Sequence, residues 1–282
     1  DLRVTNRSDV EDDPEDVSGT FHSVALMHSL TPVVLKRKDE LEALVFQVGG
    51  HPTERDYETR GGSHFVDPRR GRVYQEFFAA ILSATKLISL DIGVDEEKGD
   101  SPFITNALLK AANDRLNSSN AHPLKLQRLR LEAQLGEDED ELDIMREEQG
   151  IDFHPIAPLF IYFSSCCSIR HLNVMIPWKF WEERGSAQVF KELFTNNPEL
   201  KTLHCNFDGC DNRDSKVLNL LSDVATTSCA RIVHFENMRG VNVLQLRNLV
   251  ECCESKGALL GHASCYSKGM RVDFRSCSET AV

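Results

Sequence analysis

The stretch of sequence that decides the fold is Leu193-Phe194-Thr195-Asn196-Asn197-Pro198-Glu199-Leu200-Lys201-Thr202-Leu203-His204-Cys205-Asn206. Phe190, Leu193 and Phe194 have the spacing of one helical face, and Asn196-Asn197-Pro198 is typical of a helix end. From Leu203 to Asn206 apolar and polar residues alternate, which is the period of a short strand. The stretch therefore predicts a helix that is followed closely by a strand.

The apolar spacing of this strand recurs along the chain. Each copy has an apolar residue, two variable residues, a second apolar residue, one variable residue and a third apolar residue. The seven copies begin at Leu41, Leu87, Leu126, Ile169, Leu200, Ala230 and Gly269. A helix-like stretch precedes most copies, and the middle residues Leu172, Leu203 and Val233 are 31 and 30 residues apart. Such a period predicts stacked helix-then-strand units.

The stretch around Leu203 resembles a leucine-rich repeat of the long, ribonuclease-inhibitor-like type. The irregular copies are similar to those of F-box proteins with leucine-rich repeats, particularly the fungal ones. The resemblance covers residues 20–277 and implies an α/β solenoid of about seven units. In such a solenoid a curved parallel sheet forms the concave side and helices form the convex side.

The chain departs from the family pattern in two ways. The Asn or Cys expected three residues after the third apolar position is present only as Cys277, in the last copy. No segment reads as an F-box, so contact with a ubiquitin-ligase adaptor would require a segment that is not in this chain.

The domain prediction is simple. Residues 1–20 are rich in acidic side chains and are expected to form a disordered lead-in. Residues 21–282 are expected to form a single solenoid domain, since no Gly/Ser-rich or Pro-rich linker divides them. Insertions are predicted at 49–72, which is rich in glycine and charge, and at 136–150, which is an acidic run.

Composition narrows the function classes. The chain has 32 basic and 44 acidic residues and a net charge of −12, which disfavours binding to nucleic acid. No apolar run approaches the roughly 20 residues of a membrane-spanning helix. The nine cysteines are odd in number and scattered, which favours reduced thiols and a cytoplasmic or nuclear location.

The sequence has no recognisable catalytic motif. It has neither a Gly-x-Ser-x-Gly elbow nor a phosphate-binding glycine pattern after a strand. His204 and His234 occupy the same place in successive strands and suggest a metal site with Cys205 or Asp273 nearby. The alternation instead turns Cys205 into the core and makes the histidines part of a polar row. We therefore predict a protein that is not an enzyme and has neither a metal nor a cofactor.

Strand alternation also predicts a binding surface on the concave side. Its polar residues are Asp91, Arg128, Arg130, His171, Asn173, His204, Asn206, His234, Glu236, Asp273 and Arg275. Trp178 and Trp181 flank Phe180 and are either an exposed aromatic anchor or part of the core. The mixture of charge, amide and imidazole suits a protein partner better than a small molecule.

The predicted function is that of a protein–protein interaction module. Its specific form, implied by the family resemblance, is the substrate-recognition part of an F-box-type ubiquitin ligase receptor. The alternatives are a hydrolase with dispersed catalytic residues and a structural or GTPase-regulating repeat scaffold. An enclosed pocket with a buried Ser or Cys beside His would favour the hydrolase, whereas an open polar sheet would favour binding.

Overall fold

A computed structural model describes twelve parts of the chain, residues 1–7, 19–49, 68–94, 101–118, 124–133, 157–175, 180, 185–206, 230–239, 243–255, 257–267 and 270–275. The chain divides into two compact units. The first comprises Asp1–Lys125 and Glu132–Gln149, and the second comprises Leu126–Leu131 and Gly150–Val282. Of the helices described, none is long and apolar enough to cross a membrane.

Among the residues described, the first unit has three parallel strands, which pair in the order in which they occur in the sequence. They are β1 (Leu2–Arg7), β2 (Ala43–Gly49) and β3 (Ser89–Val94). Three helices alternate with them along the chain, α1 (Gly19–Arg37), α2 (Pro68–Leu82) and α3 (Ser101–Leu116). The register aligns Val4, Phe46 and Ile92, and all three side chains are buried.

An aromatic cluster joins α2 to β2 in the core of the first unit. The ring of Phe46 lies 5.9 Å from that of Phe77 and 5.3 Å from that of Phe78. The Phe46–Phe78 and Phe77–Phe78 pairs meet edge to face, at interplanar angles of 68° and 67°. This is the geometry that the aromatic quadrupole favours. The helix-then-strand unit predicted around Leu90 therefore has the expected apolar core.

The predicted disordered lead-in is wrong where the chain begins. Leu2–Arg7 form β1, because they pair in parallel with β2 and this pairing satisfies the backbone amides and carbonyls. Residues 19 and 20 already belong to α1, whereas residues 8–18 lie outside the described residues.

The predicted insertion at 49–72 overlaps the start of a helix. Pro68 begins α2, where its missing N–H costs nothing, so residues 68–72 are helical. Gly49 ends β2, and residues 50–67 and 136–150 lie outside the described part of the chain. The prediction of a single domain over 21–282 stays a prediction.

In the described part of the second unit, five strands pair in parallel and a sixth turns back. The parallel strands are β4 (Arg128–Ala133), β5 (His171–Met175), β6 (Thr202–Asn206), β7 (Ile232–Arg239) and β8 (Leu259–Ser267). The last strand, β9 (Met270–Arg275), pairs with β8 in the antiparallel sense. The helices described here are α4 (Ala157–Ser164), α5 (Ser186–Thr195) and α6 (Val243–Ser255).

The repeated apolar positions form continuous rows in the core of the second unit. Strand register aligns the buried residues Leu129, Leu172, Leu203 and Val233 in one row. A second buried row contains Leu131, Val174, Cys205 and Phe235. The predicted burial of the middle apolar residues in parallel strands is confirmed here, and Leu90 is buried in β3 of the first unit.

Phenylalanine rings fill the space between α4 and α5. Phe160 lies 5.6 Å from Phe190 and 5.3 Å from Phe180, measured between ring centroids. Phe194 packs on Phe190 at 4.7 Å and an interplanar angle of 90°. The helical face that the sequence predicts from Phe190, Leu193 and Phe194 is therefore buried in the core.

The prediction of a parallel strand in the seventh repeat, which begins at Gly269, is wrong, because this strand is antiparallel to its neighbour. The strand that follows α6 and pairs in parallel with β7 is β8, and Gly257 (φ 71°) leads the chain into it. Only residues 268 and 269 separate β8 from β9, and so short a connection permits a hairpin but no parallel crossover. Asp273 and Arg275 therefore lie on an antiparallel strand rather than on a repeat strand.

Candidate protein-binding surface

The polar face of the second unit is the side of β4–β7 that points away from the buried apolar rows. In β5 and β6 half-buried and buried residues alternate strictly, as expected for strands with one side in the core. The residues of this polar face are Arg128, Arg130, His171, Asn173, Met175, Thr202, His204, Asn206, Ile232, His234 and Glu236.

Strand register brings four of the predicted site residues into one row. Arg130 on β4 is aligned with Asn173 on β5, then with His204 on β6 and His234 on β7. We call these four residues the central row. Neighbouring strands lie about 4.8 Å apart, so the central row spans about 14 Å across the sheet.

Two further rows run beside the central row. At the amino ends of the strands Arg128 is aligned with His171, and His171 with Thr202. At the carboxyl ends Asn206 is aligned with Glu236. The sequence-predicted residues of the second unit on β4–β7 therefore lie together on one surface.

His204 lies beside two titratable neighbours on β7. Its Nε2 atom is 3.2 Å from Oε2 of Glu236, and the His204 and His234 ring centroids are 5.8 Å apart. The His204 and Glu236 side chains are 30% and 33% exposed, so the pair is reachable from solvent. The contact becomes an ion pair only when His204 is protonated.

Two neighbouring atoms of the central row are shielded and lack hydrogen bonds. Among the described residues neither Oδ1 of Asn173 nor Nε2 of His204 has a hydrogen-bond partner. The distance from His204 to Glu236 is short, but its angles are not those of a hydrogen bond. Buried polar atoms are nearly always paired in folded proteins. Both atoms are closed to solvent, so they are not open to a ligand in this conformation.

His171 is held in its neutral form at the amino end of the face. Its Nδ1 atom lies 2.8 Å from the hydroxyl oxygen of Thr202. Burial lowers the pKa of His171 below 6.5, and the positive charges of Arg128, Lys201 and Arg170 lower it further. The ring is therefore mostly uncharged at pH 7 despite its polar surroundings.

Four basic residues lie at the amino ends of β4–β7, and three of them, Arg128, Lys201 and Arg170, act on His171. Backbone hydrogen bonds join Arg170 N to Gln127 O, Lys201 N to Arg170 O and Arg231 N to Lys201 O, at 2.8, 2.7 and 2.9 Å. These bonds align the start of each strand with the next. We call Arg128, Arg170, Lys201 and Arg231 the basic edge.

Sequence reasoning did not find the basic edge. Three of its residues directly precede the alternating positions, so the strand pattern did not include them. The available signal was a basic residue between the first and second apolar positions of four successive copies.

The described side chains do not form the metal site that His204 and His234 suggested. No group of three or more His, Cys, Asp or Glu that could hold a metal occurs among the residues described. Cys205 is fully buried in the core, and burial raises the pKa of its thiol. The predicted inward orientation of Cys205 is confirmed, so it lies on the opposite side of β6 from His204.

The remaining predicted site residues are placed elsewhere or not described. Asp91 is half-buried on β3 of the first unit. Trp178 and Trp181 lie outside the described residues, whereas Phe180 between them is fully buried. Arg275 shares a register position with His262 on β8, which is itself aligned with His234.

Comparison of the sequence with protein-family models and with the curated proteins gives no match. What defines the class of the protein is therefore its architecture, an α/β fold with parallel strands and intervening helices.

Proposed function

We propose that this chain is a protein-interaction module and that the polar face of the second unit contacts another protein. The observation that carries the proposal is the central row, in which four polar side chains from four adjacent strands are aligned on one surface. A row of this kind offers directional hydrogen bonds along a span that suits an extended partner segment.

The narrower proposal concerns the fold and the cellular role. We propose a leucine-rich-repeat solenoid, supported by the recurrence of the apolar spacing and by its coincidence with strands β2 to β7. The role of substrate receptor in an F-box-type ubiquitin ligase rests on the family resemblance of the repeats alone. A location in the cytoplasm or the nucleus goes with that role.

The test compares two triple variants of the whole chain. The first replaces Asn173, His204 and His234 with alanine. The second, a matched control, replaces Gln188, Thr195 and Asn248 with alanine, because all three are exposed on α5 and α6. Circular dichroism and thermal melts first establish that both variants are folded.

Immobilised wild-type protein and both variants are then used to capture proteins from a cell extract, and the bound chains are quantified by mass spectrometry. We expect at least one protein that wild type and control retain and the central-row variant loses. Calorimetry with that purified partner should give a Kd at least tenfold weaker for the central-row variant. Equal affinity of all three proteins for every captured partner would refute the proposed surface.

A further inference from the structure

We propose that the basic edge binds an acidic segment of the partner protein, in an extended conformation that crosses the strands. This inference rests on the proposed function and adds the chemistry of the partner. The basic edge and the central row both lie at strands β4–β7, but they share no residue.

The basic edge concentrates positive charge in an otherwise acidic chain. The net charge of the whole chain is −12, yet four cations are gathered at the amino ends of four adjacent strands. Arg128, Lys201 and Arg231 are exposed. Within the described part of the chain, no carboxylate forms an ion pair with any of these three.

Only one cation of the basic edge has a carboxylate partner among the described residues. Arg170 donates two hydrogen bonds to Oε2 of Glu199, at 2.9 and 2.8 Å. Its side chain is 40% exposed, so the pair contributes little to folding and can be rearranged by a ligand. Burial is the main cause of the lowered pKa of His171, and the charges of Arg128, Lys201 and Arg170 lower it further, so these three edge residues lie close enough to act on one ring.

The dimensions favour a short peptide. Four adjacent strands span about 14 Å, and an extended chain covers this distance with four to five residues. A cluster of four or five Asp or Glu residues therefore matches both the length and the charge of the basic edge. The acidic remainder of the chain repels a long polyanion such as nucleic acid.

The experiment uses the whole chain and two fluorescein-labelled peptides, five glutamates or five glutamines within the same Gly/Ser flanks. Binding is followed by fluorescence anisotropy. The edge variant carries Lys201→Glu and Arg231→Glu. The control carries the same charge change at exposed helical positions of the first unit, Lys36→Glu and Lys110→Glu.

We expect wild type and control to bind the glutamate peptide with equal Kd, at least tenfold more tightly than the glutamine peptide. The edge variant should lose at least tenfold in affinity for the glutamate peptide. Raising the salt from about 0.05 M to about 0.5 M should weaken binding to wild type, because exposed charges are screened. Circular dichroism confirms that the edge variant is folded.

Four results would overturn the proposal. One is equal affinity of the edge variant and the control for the glutamate peptide, and another is no preference of wild type for glutamate. The third is tighter binding of a single-stranded oligonucleotide of equal charge than of the peptide. A partner that still binds the edge variant but not the central-row variant would refute this inference and leave the proposed function intact.

Discussion

Replacing Asn197 with alanine removes a buried side chain that joins two successive helix-then-strand units. Asn197 follows α5 and is 1% exposed. Its Oδ1 atom accepts a hydrogen bond from the backbone N–H of Ile169 at 2.9 Å, and its Nδ2 atom donates to the carbonyl of Leu193 at 2.7 Å. The first bond reaches the start of β5, and the second satisfies a carbonyl at the end of a helix.

The alanine variant should lower the free energy of unfolding by about 2 to 5 kcal/mol. It leaves one donor, at Ile169, and one acceptor, at Leu193, without the side-chain partner in a region closed to solvent. Each such group costs about 1 to 3 kcal/mol. Asn197→Asp should be at least as destabilising, because it keeps the acceptor, loses the donor and buries a charge.

Hydrogen exchange followed by mass spectrometry is the appropriate assay, since a chain with two compact units need not unfold in one step. A loss of 2 kcal/mol corresponds to roughly 30-fold faster exchange in the segment that contains Ile169. The control is Asn117→Ala, which replaces an exposed asparagine of the first unit whose side chain donates a hydrogen bond to Asn113. An exchange rate in the Asn197→Ala protein that differs less than threefold from that of the control would refute the reasoning.

Three further predictions concern the strands and turns of the second unit. Leu203→Ala should lower the free energy of unfolding by about 2 to 5 kcal/mol in denaturant melts, because Leu203 is fully buried. His204→Ala should lower it by less than about 1 kcal/mol, because His204 is partly exposed. The reverse order would mean that the alternation of β6 is out of phase by one residue. Cys167 has φ 56°, a left-handed backbone conformation that is unfavourable for a residue with a side chain but not for glycine, so Cys167→Gly should stabilise the chain by about 1 kcal/mol. A melting temperature at or below that of wild type would contradict this. The pKa of His171 in the folded chain lies below its unfolded value of 6.5, so near that pH the unfolded chain binds more protons than the folded chain. The free energy of unfolding should therefore fall as the pH is lowered from about 7.5 to 5.5. His171→Gln should show a smaller fall over the same range, and an equal fall in both proteins would exclude His171 as the cause.

The phase and burial of the repeat strands follow from the sequence alone. Leu172, Leu203 and Val233 are buried as predicted, and His204 and His234 share a register row. This success has a simple cause. In a strand with one side in the core, apolar and polar residues must alternate, and burying apolar surface is the main stabilising contribution. The order of apolar and polar residues therefore determines which side of the strand is buried.

Strand partners and strand directions were decided by the tertiary structure. Leu2–Arg7 look like part of an acidic tail, yet they pair with β2, a strand more than thirty residues further along the chain. The copy at Gly269 has the repeat spacing, yet the short connection to β8 makes β9 antiparallel. The periodicity of a segment indicates which of its sides is buried, but it does not indicate which strand pairs with it on either edge or in which direction.

The surface features likewise depend on residues that are distant in sequence. Arg128, Arg170, Lys201 and Arg231 become neighbours only because four parallel strands start in register. Asn197 reads as a helix-ending residue, and only the packed structure shows that it also bonds to Ile169, 28 residues earlier. The sequence by itself determined the strands β2 to β7 and their apolar sides, because these depend on local periodicity. Charge clusters and buried polar bridges depend on how separate segments pack, and packing is a property of the folded chain as a whole.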